Sequence, residues 1–166
     1  MEEYKRPTFE ITFDSPQGSY RLGDAVEVSG NVKTYSGVPV QEAEVKYTVN
    51  RALNVWPFYV DAPQLIASGT SKLDEAGTFK VPVQLLQDAS EKPNLLRYKS
   101  YVYTVEAVVT NEAGETQTSQ ITLNAGERSL RLDMSLEPDK IVNKEEPIQT
   151  IFRVENLNAQ PISVEG

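Results

Sequence analysis

Ser15 to Val40 reads SPQGSYRLGDAVEVSGNVKTYSGVPV. At its centre Val26, Val28 and Val32 fall on one side of an extended chain, with Glu27, Ser29 and Asn31 on the other. Successive side chains of a strand point to opposite faces, so this alternation describes a strand with one face on a core and one in water. The same pattern extends in both directions. TFEITF lines up Phe9, Ile11 and Phe13, and AEVKYTV lines up Val45, Tyr47 and Val49. FKVPVQL places Phe79, Val81, Val83 and Leu85 together, YVYTVEAVV does so for Tyr101, Tyr103, Val105, Ala107 and Val109, and SQITL adds Ile121 and Leu123. One-sided burial of this kind favours antiparallel sheets.

The punctuation agrees. LDEAGTF and TNEAGET are near-copies of one hairpin turn: Asp74 and Asn111 bond back to the backbone, and Gly77 and Gly114 take the left-handed position. Pro82, inside a strand pattern, predicts an edge strand or a bulge because it has no N–H to donate. Two stretches read as irregular, NRALNVWPFYVDAPQ and QLLQDASEKPNLL. About seven short strands in some 120 residues indicate an all-β, immunoglobulin-like antiparallel β-sandwich, with a closed barrel as the alternative.

A second stretch, EPDKIVNKEEPIQTIFRVENLNAQPI from Glu137 to Ile162, repeats the first at a shift of 122 residues. Pro16 pairs with Pro138, Pro39 with Pro161, Val26 with Ile148, Val32 with Val154, and Val40 with Ile162. NAGERS, from Asn124, reads as a polar linker, after which LRLDMSL begins a new alternation of Leu130, Leu132, Met134 and Leu136. The expected organisation is one sandwich over residues 1–126, then a linker and the truncated start of a second over 127–166. About 40 residues cannot bury a sandwich core alone. The expectation is therefore of a piece of a longer tandem array, in which residues 128–166 pack on the first domain, stay free, or form an edge-strand dimer.

Composition narrows the function. The net charge of −8 and 16 basic against 24 acidic residues argue against nucleic acid and against a polybasic membrane patch. With neither Cys nor His, the chain has no disulfide, thiol nucleophile, thiolate metal site or imidazole base. The opening MEEYKRPTFEI lacks the apolar run of a secretory leader, which does not bear on the export of a longer parent. No G-x-S-x-G or S-x-x-K context marks a nucleophile, no carboxylate pair stands out as acid and base, and no glycine loop suggests phosphate.

EEYKRPTFE, SYRLGD before a strand, and YSGVPV before the next resemble a macroglobulin-type domain of bacterial alpha-2-macroglobulin family proteins. TSKLDEAGTFKVPV and YTVEAVVTNEAGET fit its later strands, and VENLNAQPI resembles the start of the next such domain. In style the sequence is like large envelope proteins of Bacteroidetes. The resemblance implies a parent in the bacterial cell envelope, periplasmic or membrane-anchored, whose domains form a cage that closes on a protease. Many family members add a thioester in a C-E-Q context, which a chain without Cys cannot hold. What remains for this chain is scaffolding, with no enzyme activity and no cofactor, its partners being neighbouring macroglobulin domains and the proteases captured by the parent.

Trp56, Pro57, Phe58 and Tyr59 are the most unusual cluster. Exposed, Trp56, Phe58 and Tyr59 would form an interaction loop for a sugar ring or a protein partner, the basis of the alternative reading as an adhesion or glycan-binding module. Folded inward, they cap one end of the sandwich. Tyr101 and Tyr103 share the inward parity of Val105, so core packing is expected of them rather than a ligand surface. The pairs Asp74–Glu75 and Asn111–Glu112 offer oxygen ligands, yet lack the D-x-D-x-D spacing of a calcium loop. Turn chemistry accounts for them without a metal.

Overall fold

The computed structural model describes residues 7–55, 59–60, 62–88, 100–136 and 150–163. Its strands in chain order are β1 (Phe9–Phe13), β2 (Tyr20–Arg21), β3 (Ala25–Thr34), β4 (Ala43–Val55), β5 (Tyr59–Val60), β6 (Gln64–Ser71), β7 (Thr78–Gln84), β8 (Ser100–Asn111), β9 (Thr116–Gly126), β10 (Leu130–Leu136) and β11 (Thr150–Asn156). No helix forms among the described residues.

Two sheets face each other. One is β1-β3-β7; the other runs β2-β9-β8-β4, with β5 and β6 both on the far edge of β4. The alternating residues meet between them as the sequence predicts. Phe9, Val32, Phe79, Val81 and Val83 from the first sheet pack against Val45, Val49, Tyr101, Tyr103, Val105, Ala107, Val109 and Leu123 from the second, all essentially buried. This is an immunoglobulin-like β-sandwich. Pro82 lies on β7, an edge strand, where its missing N–H breaks no ladder.

Gly30 shows how tightly the smaller sheet is fitted. It lies opposite Phe13 on β1 and Phe79 on β7, whose rings meet edge to face at 5.5 Å. A Cβ at Gly30 would stand 2.4 Å from the Phe79 ring, so this strand position must be glycine.

Two expectations need correction. NRALNVWPFYVDAPQ is not irregular over its described part: Asn50–Val55 continues β4, and Tyr59–Val60 and the start of β6 follow. Strand β8 holds β4 in one unbroken register from Ala43↔Asn111 to Asn54↔Ser100. Only the outer edge slips, by one residue on β6 between the pairs Val49↔Ala67 and Asn50↔Leu65, leaving Ile66 as the extra residue. NAGERS is likewise not linker from its first residue, because β9 runs on through Asn124 and Ala125 to Gly126.

Strands β10 and β11 form a separate two-stranded sheet. Its register repeats that of β1 and β3. Phe9↔Thr34 and Ile11↔Val32 become Leu130↔Asn156 and Leu132↔Val154. The turn that follows repeats bond for bond. In the first copy Thr34 N–H donates to Val38 O, Gly37 N–H to Thr34 O and Val40 N–H to Val32 O; in the second, Asn156 donates to Gln160 O, Ala159 to Asn156 O and Ile162 to Val154 O. Isolated bridges Lys33↔Pro39 and Glu155↔Pro161 complete the match. Gly37 and Ala159, at equivalent positions, both have positive φ, 87° and 59°. Pro138 and Ile148 lie outside the described residues.

Candidate functional site

The residues singled out from the sequence fall in separate parts of the described fold or outside it. Trp56, Pro57 and Phe58 lie outside the described residues; Tyr59 begins β5, paired through its backbone with Val55. Asp74 closes its turn through Oδ1, which accepts from the N–H groups of Ala76 and Thr78 at 2.9 and 2.8 Å. Asn111 accepts from Glu115 N–H at 2.9 Å in the same way. Among the described residues no three His, Cys, Asp or Glu side chains gather as metal ligands would. Glu112 and Glu42 approach each other at the surface, and the hydrogen bond they share, with their mutual repulsion, raises the Glu112 carboxyl above its ordinary range.

The tyrosines are core residues with polar tips. Tyr103 donates from its hydroxyl to Leu86 O at 3.0 Å, and the Tyr101 hydroxyl accepts from Asp88 N–H at 3.4 Å. Burial pushes the Tyr103 phenol up, against the pull of nearby Arg51. Arg51 stands on β4 at the inward parity of Val49. Its guanidinium donates to Asp88 at 2.8 Å, Leu86 O at 2.9 Å and Gln64 Oε1 at 3.1 Å, and lies over the Tyr101 ring at 5.6 Å. With side chains only 10% and 19% exposed, the Arg51–Asp88 pair ties the segment after β7 across the end of the core.

The feature that joins distant parts of the chain is a clamp of amide side chains after β11. Asn156, 3% exposed, uses its Oδ1 inward, accepting from Asn158 and Gln160 N–H at 2.9 Å each. Its amide group donates to Gln160 Oε1 within the turn and, outward, to Gly18 O, each at 3.1 Å. Asn158 Oδ1 accepts from Asn124 N–H at 2.8 Å, while its amide group reaches Asn124 O and Gly18 O at 3.4 and 3.5 Å. Gln160 donates to Pro16 O. Together these residues fasten the turn to the Pro16–Gly18 loop and to the end of β9, satisfying backbone groups that a dry contact would otherwise strand. Beside the clamp lies a cleft of about 330 Å³ lined by Asn54, Ser100, Asn124, Arg131, Glu155 and Leu157 among others.

Sequence reading missed the clamp because Asn-rich turns form for local reasons alone. The available signal was the repeat itself: Asn156, Asn158 and Gln160 stand where the first copy has Thr34, Ser36 and Val38. The missing information was the acceptors, nearly the whole chain away. Chemically the arrangement holds and orients; it offers no nucleophile or general base.

The remaining surface of note is the outer face of β10 and β11. Leu132, Met134 and Phe152 share one side of that pair and are 65%, 57% and 60% exposed. The same face of β1 and β3 is covered by the larger sheet.

No family model matches the chain. It is 26% identical over 113 residues, 68% of its length, to alpha-2-macroglobulin of Thermotoga maritima, and spans 6% of that protein. Among solved structures it is similar to Escherichia coli alpha-2-macroglobulin in its native conformation (TM-score 0.60, 8% identity, 96% of this chain and 11% of that one). It is also similar to the E. coli protein activated by porcine elastase (TM-score 0.62, 9% identity, 95% of this chain and 15% of that one). A Salmonella alpha-2-macroglobulin mutant aligns with a TM-score of 0.60 at 10% identity, over 92% of this chain and 10% of that one. The chain thus resembles bacterial alpha-2-macroglobulins in sequence and shares their fold, consistent with a macroglobulin-type domain.

Proposed function

We propose that this chain is a non-catalytic scaffold segment of an alpha-2-macroglobulin-like protein, with one macroglobulin-type domain over residues 1–126 and the linker and opening strands of the next over 127–166. The observation that carries this reading is the bond-for-bond return of the Thr34–Val40 turn at Asn156–Ile162, on a strand pair of matching register. The open face of Leu132, Met134 and Phe152 fits the same reading, since in the first domain that side of the strand pair lies against a second sheet. Extending the chain by the roughly 60 further residues a sandwich needs should bury those three side chains and slow amide exchange through β10 and β11.

For the parent, we infer protease capture at the cell envelope. The E. coli relative is described as activated by an elastase, and a frame of docked sandwiches is suited to passing on a rearrangement that a cut sets off. Full-length parent incubated with elastase should retain the protease and deny it large substrates while small peptide substrates are still cleaved. Elastase recovered free, with undiminished access to large substrates, would remove the trapping role and leave the scaffold reading standing.

A further inference from the structure

The two copies of the repeated turn differ in what covers them. Asn156 is buried and Leu157, Asn158 and Gln160 are half-buried, because the turn is seated on the Pro16–Gly18 loop and the end of β9. In the first copy Tyr35, the counterpart of Leu157, is 62% exposed, and Val38, the counterpart of Gln160, is 58% exposed. The backbone of this turn is already held in the docking shape by its own bonds: Val38 N–H donates to Thr34 Oγ1 at 3.0 Å, and Gly37 N–H to Thr34 O at 2.8 Å. A preformed turn carrying two large apolar side chains in water is unusual for a surface hairpin and is the kind of feature that marks a contact.

We infer that the Thr34–Val38 turn is the docking surface for a further β-sandwich of the same kind placed before residue 1. That partner presents its own counterparts of the Pro16–Gly18 loop and of the last-strand end at Asn124. The inference rests on the tandem reading above and extends it in the other direction along the chain. A second copy of this chain fits poorly as occupant, since the matching seat on residues 16–18 and Asn124 is already filled by the chain's own Asn156–Gln160 turn. The chemistry of the contact also differs. Thr34 caps the turn with a hydroxyl and has no outward amide to donate, so recognition falls to the Tyr35 ring and the Val38 side chain. The partner's seat is accordingly more apolar than the carbonyl row that receives Asn156.

The chain has no cysteine, so single thiols report cleanly. Tyr35→Cys and Leu157→Cys would each be made in the 166-residue chain and in one lengthened by the domain encoded upstream, and their alkylation rates measured. Leu157→Cys should react slowly in both. Tyr35→Cys should react fast in the short chain and at least about tenfold more slowly in the long one. Amide exchange at Gly37 and Val38 in the unsubstituted chains, slowed by the same lengthening, supports the inference without any substitution. Fast reaction of Tyr35→Cys in both lengths overturns it, as does the absence of any upstream coding sequence, or a dimer of the short chain that Tyr35→Asp dissolves. Fast reaction of Leu157→Cys in both would instead show that the tandem docking itself is wrong.

Discussion

Strand pairs β1–β3 and β10–β11 have one register and one turn, yet opposite fates. Phe9 at the start of β1 is 1% exposed, and Val32 on β3 is fully buried. Their counterparts are Leu130, 43% exposed, and Val154, which is half-buried. The difference teaches what is local and what is not. Pairing, register and turn follow from alternation, a Thr or Asn cap and a left-handed residue, all within about 35 residues. Burial depends on an opposite sheet, which the first pair has and the second lacks among the described residues.

The largest expected effect is a direct contrast between the two pairs. Phe9→Ala should cost about 4 kcal/mol of stability in urea unfolding, since it empties a closed site between two sheets. Leu130→Ala removes a side chain of similar bulk from the equivalent position and should leave the sandwich's unfolding midpoint within about 0.5 kcal/mol. Equal losses would mean that β10–β11 is part of the same cooperative core, and that the comparison between a covered and an uncovered pair is wrong.

Most of the sandwich was legible because its core strands alternate cleanly, as β7 and β8 do without a break. The end of β4 was hidden by Arg51. After Val45, Tyr47 and Val49 a charge at the next inward position reads as the strand's end, and only Asp88, Leu86 and Gln64 make it a tolerable inward residue. Strand β6 was hidden for another reason. It is an edge strand with a register slip, leaving Leu65 62% exposed and no regular alternation to find. The repeat was visible in proline spacing and apolar matches. The clamp was not, because an amide that closes its own turn and one that also grips a loop nearly 140 residues away have the same sequence.

That second role separates Asn156 from Thr34. Asn156→Ala removes three bonds within the turn and the outward bond to Gly18 together. At about 1 kcal/mol per bond, exchange of the Asn158 and Gln160 amides should accelerate more than about tenfold, while Val105 in the core keeps its protection. Thr34→Ala loses only bonds inside its turn, those of the hydroxyl with Ser36 Oγ, Val38 N–H and Val38 O, and no outward one, so its turn should loosen less than the docked one. Matching accelerations in the two turns would show that docking adds nothing to the second.

The smallest effect isolates the backbone. Gly37 and Ala159 occupy the same left-handed position, at φ of 87° and 59°. Glycine reaches that region freely, whereas a Cβ there crowds the following carbonyl at about 1 kcal/mol. Nothing lies within 4 Å of a Cβ built at Gly37, so Gly37→Ala tests conformation without a steric clash. Gly37→Ala should destabilise its turn by about 1 kcal/mol, and Ala159→Gly should stabilise the other by a similar amount. Amide exchange at Val38 and Gln160 would read both. If the two turns are the same structure, the shifts have opposite signs and like size. If Ala159→Gly instead loosens its turn, the Ala159 side chain is contributing a contact at the junction, beside the cleft it helps to line. The docked copy would then be held by apolar packing as well as by its amides.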